Sequence, residues 1–295
     1  MERRAFGNTD MVVSILGFGG AEIGNADQRT VDRLLHSAMD AGLNMIDTAE
    51  CYGSSEELIG KALAGRRDDC YLFTKCGHAA GMDYPDWDPV LLARSFDRSL
   101  ERLKVDYVDV VHLHSCSEEV LRRGEVIEVL QRAKEQGKTR YIGYSGDSTS
   151  ARYAVETGVF DSFETSVNIA DQEAIELTIP LAVEQGMGII AKRPIANVAW
   201  KHESLSEQDY AYPYWLRLQE LNYDFLEDVQ QGVEIAMKFT LSTPGVATAI
   251  VGTGNPDRWR QNAQLLEGGM LPEENYQAIR SRWKEVAGSD WVGKV

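Results

Sequence analysis

The chain has 295 residues, 43% of them hydrophobic and 26% charged, a composition that belongs to globular proteins able to bury a core without covalent staples. Thirty Lys and Arg against 46 Asp and Glu give a formal charge of −16, which argues against nucleic acid or an anionic membrane surface as the main partner and requires a locally basic pocket for any anionic ligand. Four cysteines, Cys51, Cys70, Cys76 and Cys116, lack metal-ligand spacing and are too few for a disulfide scaffold, and no apolar run reaches about eighteen residues, so a cytoplasmic protein is expected.

The first predicted element is a hairpin, RRAFGNTDMVVS, with Gly-Asn at its turn. Eight apolar runs follow, at 14–19, 44–49, 70–75, 107–114, 139–145, 162–168, 188–193 and 248–253. They alternate with helical patterns near 29–41, 55–64, 89–104, 119–136, 148–157, 172–185, 226–241 and 256–267. Ser54 with Glu57 reads as a capping box, Gly137 as a left-handed helix terminator, and Asn255-Pro256 as an N-cap followed by proline at the first helical position. Eight strand–helix pairs predict a (β/α)8 TIM barrel in one domain, 1–295, with an N-terminal β-hairpin and a C-terminal helical extension over 268–295. A doubly wound sheet is the structural rival. The connection over 194–225 is too long for a simple barrel loop and is read as a pocket-covering segment. Its Trp200, Tyr212, Tyr214 and Trp215, with Trp87 of the third loop, suit either an aromatic substrate pocket or packing within the loop or across a dimer, two readings that stand even.

In such barrels the reactive groups sit at the C-terminal strand ends. Asp47 closes the second run with Tyr52 in its loop, Lys75 closes the third and His114 the fourth. His112 shares the face of His114, about 6.6 Å deeper at about 3.3 Å per residue. For a cofactor, GFGGAEIG fails the dinucleotide fingerprint, because Gly17 and Gly19 require a third glycine where Glu22 stands. The better site is VGTGNPDRWRQN, where Gly252 and Gly254 bare the backbone before a helix whose positive end suits phosphate.

The segments SILGFGG, DTAECYG, FTK, YVDVVHLH, GKTRYIGYS and AIVGTGNPDRWRQN follow one another as in the aldo-keto reductases, NADP-dependent carbonyl reductases on a (β/α)8 barrel, and the chain resembles that family over nearly its whole length. The resemblance implies a catalytic tetrad of Asp47, Tyr52, Lys75 and His114. Tyr52 would protonate the carbonyl oxygen, Lys75 would lower the tyrosine pKa, Asp47 would hold Lys75, and His114 would bond the carbonyl oxygen. His114 is chosen over His112 because it lies nearer the rim and five residues beyond Asp109, as in the family. For NADP(H) the resemblance implies Gly20, Ala21, Asp47, Ser145, Glu164, Lys192, Arg193, Ile195, Gly252, Arg258, Gln261 and Asn262, with Arg258 on the 2′-phosphate and Gln261 and Asn262 on the adenine. Three positions depart from the family: Gly146 follows Ser145 in place of asparagine, Glu164 replaces a glutamine, and Lys192 stands where an aromatic often stacks on the nicotinamide. The expected activity is NADPH-dependent reduction of an aldehyde, ketone or sugar-like carbonyl. The alternatives are a nicotinamide-sensing regulatory subunit and a barrel glycoside hydrolase using Asp47 and Glu164, the latter leaving Lys75 and Tyr52 without a role.

Overall fold

In the computed structural model, which describes residues 1–293, an antiparallel hairpin of β1 (Arg3–Ala5) and β2 (Val12–Ser14) precedes eight parallel strands. These are β3 (Leu16–Gly19), β4 (Met45–Asp47), β5 (Tyr71–Cys76), β6 (Val108–His114), β7 (Thr139–Ser145), β8 (Ser162–Ser166), β9 (Gly188–Lys192) and β10 (Val246–Gly252). They close in the order β10-β3-β4-β5-β6-β7-β8-β9. Pairing of β10 with both β3 and β9 leaves no edge, which rules out the open doubly wound sheet.

The connecting helices are α1 (Gln28–Asp40), α2 (Ser55–Ala62), α3 (Pro89–Leu103), α4 (Glu118–Arg123), α5 (Glu125–Glu135), α6 (Ser148–Glu156), α7 (Glu173–Leu177) and α8 (Ile179–Glu184). After them come α9 (Tyr212–Leu221), α10 (Val229–Ser242), α11 (Arg258–Leu265) and α12 (Glu273–Val286). Two patterns that read as single helices are each broken in two. One breaks at Gly124, where φ is 79°, and the other at Thr178 before Pro180. Gly137 takes the left-handed conformation expected of it, with φ 73°. Ser54 makes no capping bond, contrary to the sequence expectation, and the helix after Asn255-Pro256 begins only at Arg258. There the Asn255 side chain accepts from the Asp257 N–H at 3.0 Å and forms a local turn instead.

Period-two alternation explains how the barrel interior is layered. Met45, Phe73, Val110 and Ile190 point inward at the lower level and pack with Phe6, Met11 and Val13 of the hairpin, which closes the bottom. Two residues further along the same strands, on the same inward face, stand Asp47, Lys75, His112 and Lys192, so the apolar plug gives way to ionisable groups toward the C-terminal rim. The opposite face of the strands, with Phe18, Ile46, Leu72, Leu113, Phe163 and Ile189, forms the main core against the helices. A second core under the segment from Pro194 to Leu226 joins Tyr214, Leu218, Phe239, Tyr276 and Trp291. It fastens α12 to the rest through Arg280, which donates to Gln172 Oε1 at 2.6 Å.

Candidate active site

Asp47 is the last residue of β4 and Lys75 the next to last of β5, so closure of the barrel brings the two side chains together at a buried level where neither can stay charged alone. Lys75 Nζ bonds Asp47 Oδ2, donates to the Thr48 carbonyl at 3.1 Å, and lies 3.3 Å from Glu164 Oε2 on β8. Two carboxylates therefore share one ammonium. Burial first, and then Glu164, pushes the Asp47 carboxyl up to about 8 against the pull of Lys75. For Glu164 burial acts upward as well, but Lys75, His112 and Lys192 outweigh it and hold it below the ordinary value. Burial disfavours the Lys75 ammonium, yet the two carboxylates outweigh that too, so Lys75 keeps its proton.

Tyr52 reaches this pair from the loop after β4. The loop is tied down where Thr48 Oγ1 meets Ser55 Oγ at 2.9 Å and Ser55 Oγ donates to the Gly20 carbonyl at 2.8 Å. The phenol oxygen stands 3.4 Å from His114 Nε2, the two rings meet edge to face, and Lys75 Nζ lies 5.6 Å from the centre of the phenol ring. Burial raises the phenol above its ordinary pKa and Lys75 only moderates this, so the net shift is upward, the reverse of the sequence expectation, and the group stays a protonated donor. Burial, with Lys75 and His78 adding to it, holds His114 well below the ordinary imidazole value and therefore neutral. His112, fully buried beneath, meets Ser162 Oγ at 2.9 Å. The four tetrad positions thus lie together at the C-terminal mouth.

A cleft of about 580 Å³ opens there, lined by Gly20, Ala21, Asp47, Tyr52, Glu164, Lys192, Arg193, Ile195 and, at its far end, Gly252 and Gly254. Ser145 is buried as the last residue of β7. Gly146 follows because a side chain there would meet the Tyr144 hydroxyl at 2.6 Å, and that hydroxyl is anchored on the Cys116 carbonyl. Arg258 and Gln261, both exposed, and the buried Asn262 sit on α11 beyond the glycine turn and outside the cleft lining.

Sequence reading missed Asp147, which is 3% exposed. Its carboxylate accepts from the Ser166 N–H at 2.7 Å and from Thr165 Oγ1 at 2.8 Å, and it pairs with Lys192 Nζ at 3.0 Å. Burial raises this carboxyl, but Lys192, the Ser166 bond and Arg193 outweigh it and keep it below the ordinary value. Lys192 and Arg193 thus lean on Asp147 as well as facing the cleft. The available signal was the departure itself, two cations after β9 with an acid directly after Gly146. The aromatics Trp200, Tyr212, Tyr214 and Trp215 stand outside the cleft lining. Tyr214 is fully buried with its hydroxyl on Asp171, Tyr212 stacks on Trp215, and Trp200 lies against Gly232. The long segment instead gives the cleft Asn197, Lys201, His202, Asp209 and Tyr210.

A family model described as the Aldo/keto reductase family matches residues 15–284. The aldo-keto reductase AKR11C1 of Bacillus halodurans, solved in a holo form, superposes with a TM-score of 0.81 at 28% identity, covering 99% of each chain. An uncharacterized oxidoreductase, YqkF, of Bacillus subtilis is 28% identical over 305 residues, covering 97% of each chain. L-galactose dehydrogenase of Arabidopsis thaliana is 27% identical over 318 residues, covering 100% of this chain and 98% of that one.

Proposed function

We propose, from the premise that this chain belongs to the aldo/keto reductase family, that it reduces a polar, sugar-like or short-chain carbonyl with NADPH, using Tyr52 as the proton donor. The observation that carries this is the Tyr52 hydroxyl 3.4 Å from neutral His114, beside the Lys75 ammonium shared by Asp47 and Glu164. A hydrolase needs two free carboxyls, whereas here both are engaged by one lysine.

The residues present suit a nicotinamide dinucleotide. The cleft runs from Asp47 and Tyr52 to Gly252 and Gly254, which contribute no side chains, and exposed Arg258 follows with no ion-pair partner among the described residues. When bound, the nicotinamide supplies the hydride to the carbonyl carbon. Tyr52 delivers its proton to the carbonyl oxygen, and Lys75 eases that transfer by stabilising the phenolate left behind. His114, with Nε2 protonated, donates a hydrogen bond to the same oxygen and so orients the carbonyl. Asp47 and Glu164 keep Lys75 charged and in place. Polar Lys201, His202, Asp209 and Tyr210 favour a hydroxylated substrate, in line with the sugar substrate in the name of the Arabidopsis relative. The guanidinium of Arg258 suits the 2′-phosphate that separates NADPH from NADH. Four free cysteines fit a cytoplasmic setting.

The test is steady-state oxidation of NADPH and NADH against aldehydes, ketones, aldoses and lactones. Turnover on hydroxylated carbonyls with NADPH preferred is the expected result. Tight cofactor binding with no turnover on any carbonyl would instead establish the sensing subunit.

A further inference from the structure

Glu50 and Cys51 precede Tyr52 in the chain and take no part in the chemistry derived above. Cys51 is the exposed one of the four cysteines. Its Sγ lies 3.5 Å from His114 Nδ1, the ring nitrogen turned away from Tyr52. A carboxylate oxygen of Glu50 lies within 4.8 Å of the Cys51 sulfur and of a ring nitrogen of His114. Glu50 is 2% exposed; its Oε1 accepts the His78 N–H at 3.0 Å, while buried Oε2 has no hydrogen-bond partner among the described residues. Burial pushes this carboxyl up to about 7 against the pull of the His78 N–H, and nearby Glu56 adds to the rise. A buried carboxylate oxygen left without a hydrogen-bond donor, beside a thiol and an imidazole, is a group that a cation would satisfy.

The spacing of the three groups says which charge fits. In a tetrahedral zinc site the Zn–S and Zn–N bonds of about 2.3 and 2.0–2.1 Å place sulfur and nitrogen about 3.5 Å apart, which is the separation found here. The carboxylate needs to close by at most about 1.4 Å to reach a Zn–O bond of about 2.0–2.2 Å. Thiolate and imidazole together with one carboxylate select zinc over magnesium or calcium, which take oxygen ligands. We propose that Glu50, Cys51 and His114 form a divalent-metal site for zinc at the barrel mouth, and that closure of the ligands onto the metal moves the His114 ring with its Nδ1, so that Nε2 leaves its position beside Tyr52 and the enzyme is inhibited. On binding, the Cys51 thiol gives its proton to solvent and its sulfur becomes a thiolate ligand; burial alone would hold that thiol up at about 12, and the metal overrides this. The fourth coordination position is left for water. The site rests on the geometry, and its inhibitory consequence rests on the reductase reading.

The experiment uses the full chain, stripped with a chelator, with zinc and cobalt(II) as probes. Cobalt(II) is expected to bind with one-to-one stoichiometry and to give the near-ultraviolet thiolate-to-cobalt absorption, which disappears in Cys51→Ser. Zinc is expected to inhibit carbonyl reduction, while Cys51→Ser and Glu50→Gln keep metal-free turnover within about threefold and need at least about tenfold more zinc for half-inhibition, the scale set by losing one metal-supporting group. Thiolate absorption in a chain that reduces no carbonyl supports the site and overturns the reductase reading instead. Cobalt bound without that absorption, or zinc inhibition unchanged in both variants, overturns the site.

Discussion

Replacing Lys75 by methionine keeps the length of the side chain and removes the ammonium that Asp47 and Glu164 share. Both carboxylates are 2% exposed, and their nearest oxygens lie within 4.8 Å of one another. Once both are ionised, two negative charges no further apart than that repel by at least about 3.5 kcal/mol at an effective dielectric of about 20. Removing one partner of a buried ion pair typically costs about 3–5 kcal/mol, so a loss in that range is expected at neutral pH. For a chain of this size it corresponds to a fall in melting temperature of about 6–20 °C, at about 2–4 °C per kcal/mol. The sign with pH follows from the direction of the shifts. Burial and Glu164 already raise Asp47 to about 8; without Lys75 Asp47 is raised further, and Glu164, which Lys75 helps to hold below its ordinary value, is raised by its burial. Groups raised in the folded state are not penalised at acid pH, where they are neutral, and lose stability as pH rises above the ordinary carboxylate value toward the folded one. The gap between variant and parent should therefore be small near pH 5 and widen toward pH 8. Adding Glu164→Gln to the methionine variant removes one charge and should recover part of the loss. Melting followed by circular dichroism from pH 5 to 8 measures all of this. A variant melting within about 2 °C of the parent at pH 8, or a gap that does not change with pH, would refute the shared-ammonium account.

Tyr52→Phe should keep the melting temperature and cofactor binding but lower kcat by at least about a hundredfold, the scale of general acid catalysis; near-normal turnover would remove Tyr52 from the chemistry. Arg258→Ala should weaken NADPH about tenfold or more in Kd and leave NADH unchanged, as expected for one charge-assisted phosphate contact, so equal losses for both cofactors would place Arg258 elsewhere. Asp147→Asn strips the buried partner from Lys192 and Arg193 and should cost about 3–5 kcal/mol at pH 7. Because the parent carboxyl is held below its ordinary value of 3.8, its contribution is present above that pH and disappears as pH falls through the folded value. Chemical denaturation at pH 7 and pH 3 should therefore show the difference shrinking, and a constant difference would contradict the pairing.

The amino-acid sequence determined the barrel and the level at which its chemistry sits. Strand length and the alternation along each run are local properties, so Met45 and Asp47, or Phe73 and Lys75, are assigned to one face without knowing their neighbours. Eight repeats then leave closure as the way to bury both faces of every strand, and the strand ends follow. Punctuation was legible only where one residue decides it. Gly137 takes its left-handed turn because its own backbone suffices, whereas Ser54 needed a particular loop geometry to cap a helix and does not have it. What lies between strands distant in the chain belonged to the tertiary structure alone. Lys75 acquires a second carboxylate, Glu164, from β8, across the barrel; that carboxylate adds to burial in raising Asp47, and burial raises Tyr52 against the lowering by Lys75 that was expected. Asp147 meets Lys192 only because β7, β8 and β9 pair in register. Cys51 and His114 are 63 residues apart, so no local spacing joins them; the rim does, because electrostatic and coordination energies depend on distances in space, which closure of the barrel fixes and the order of residues does not.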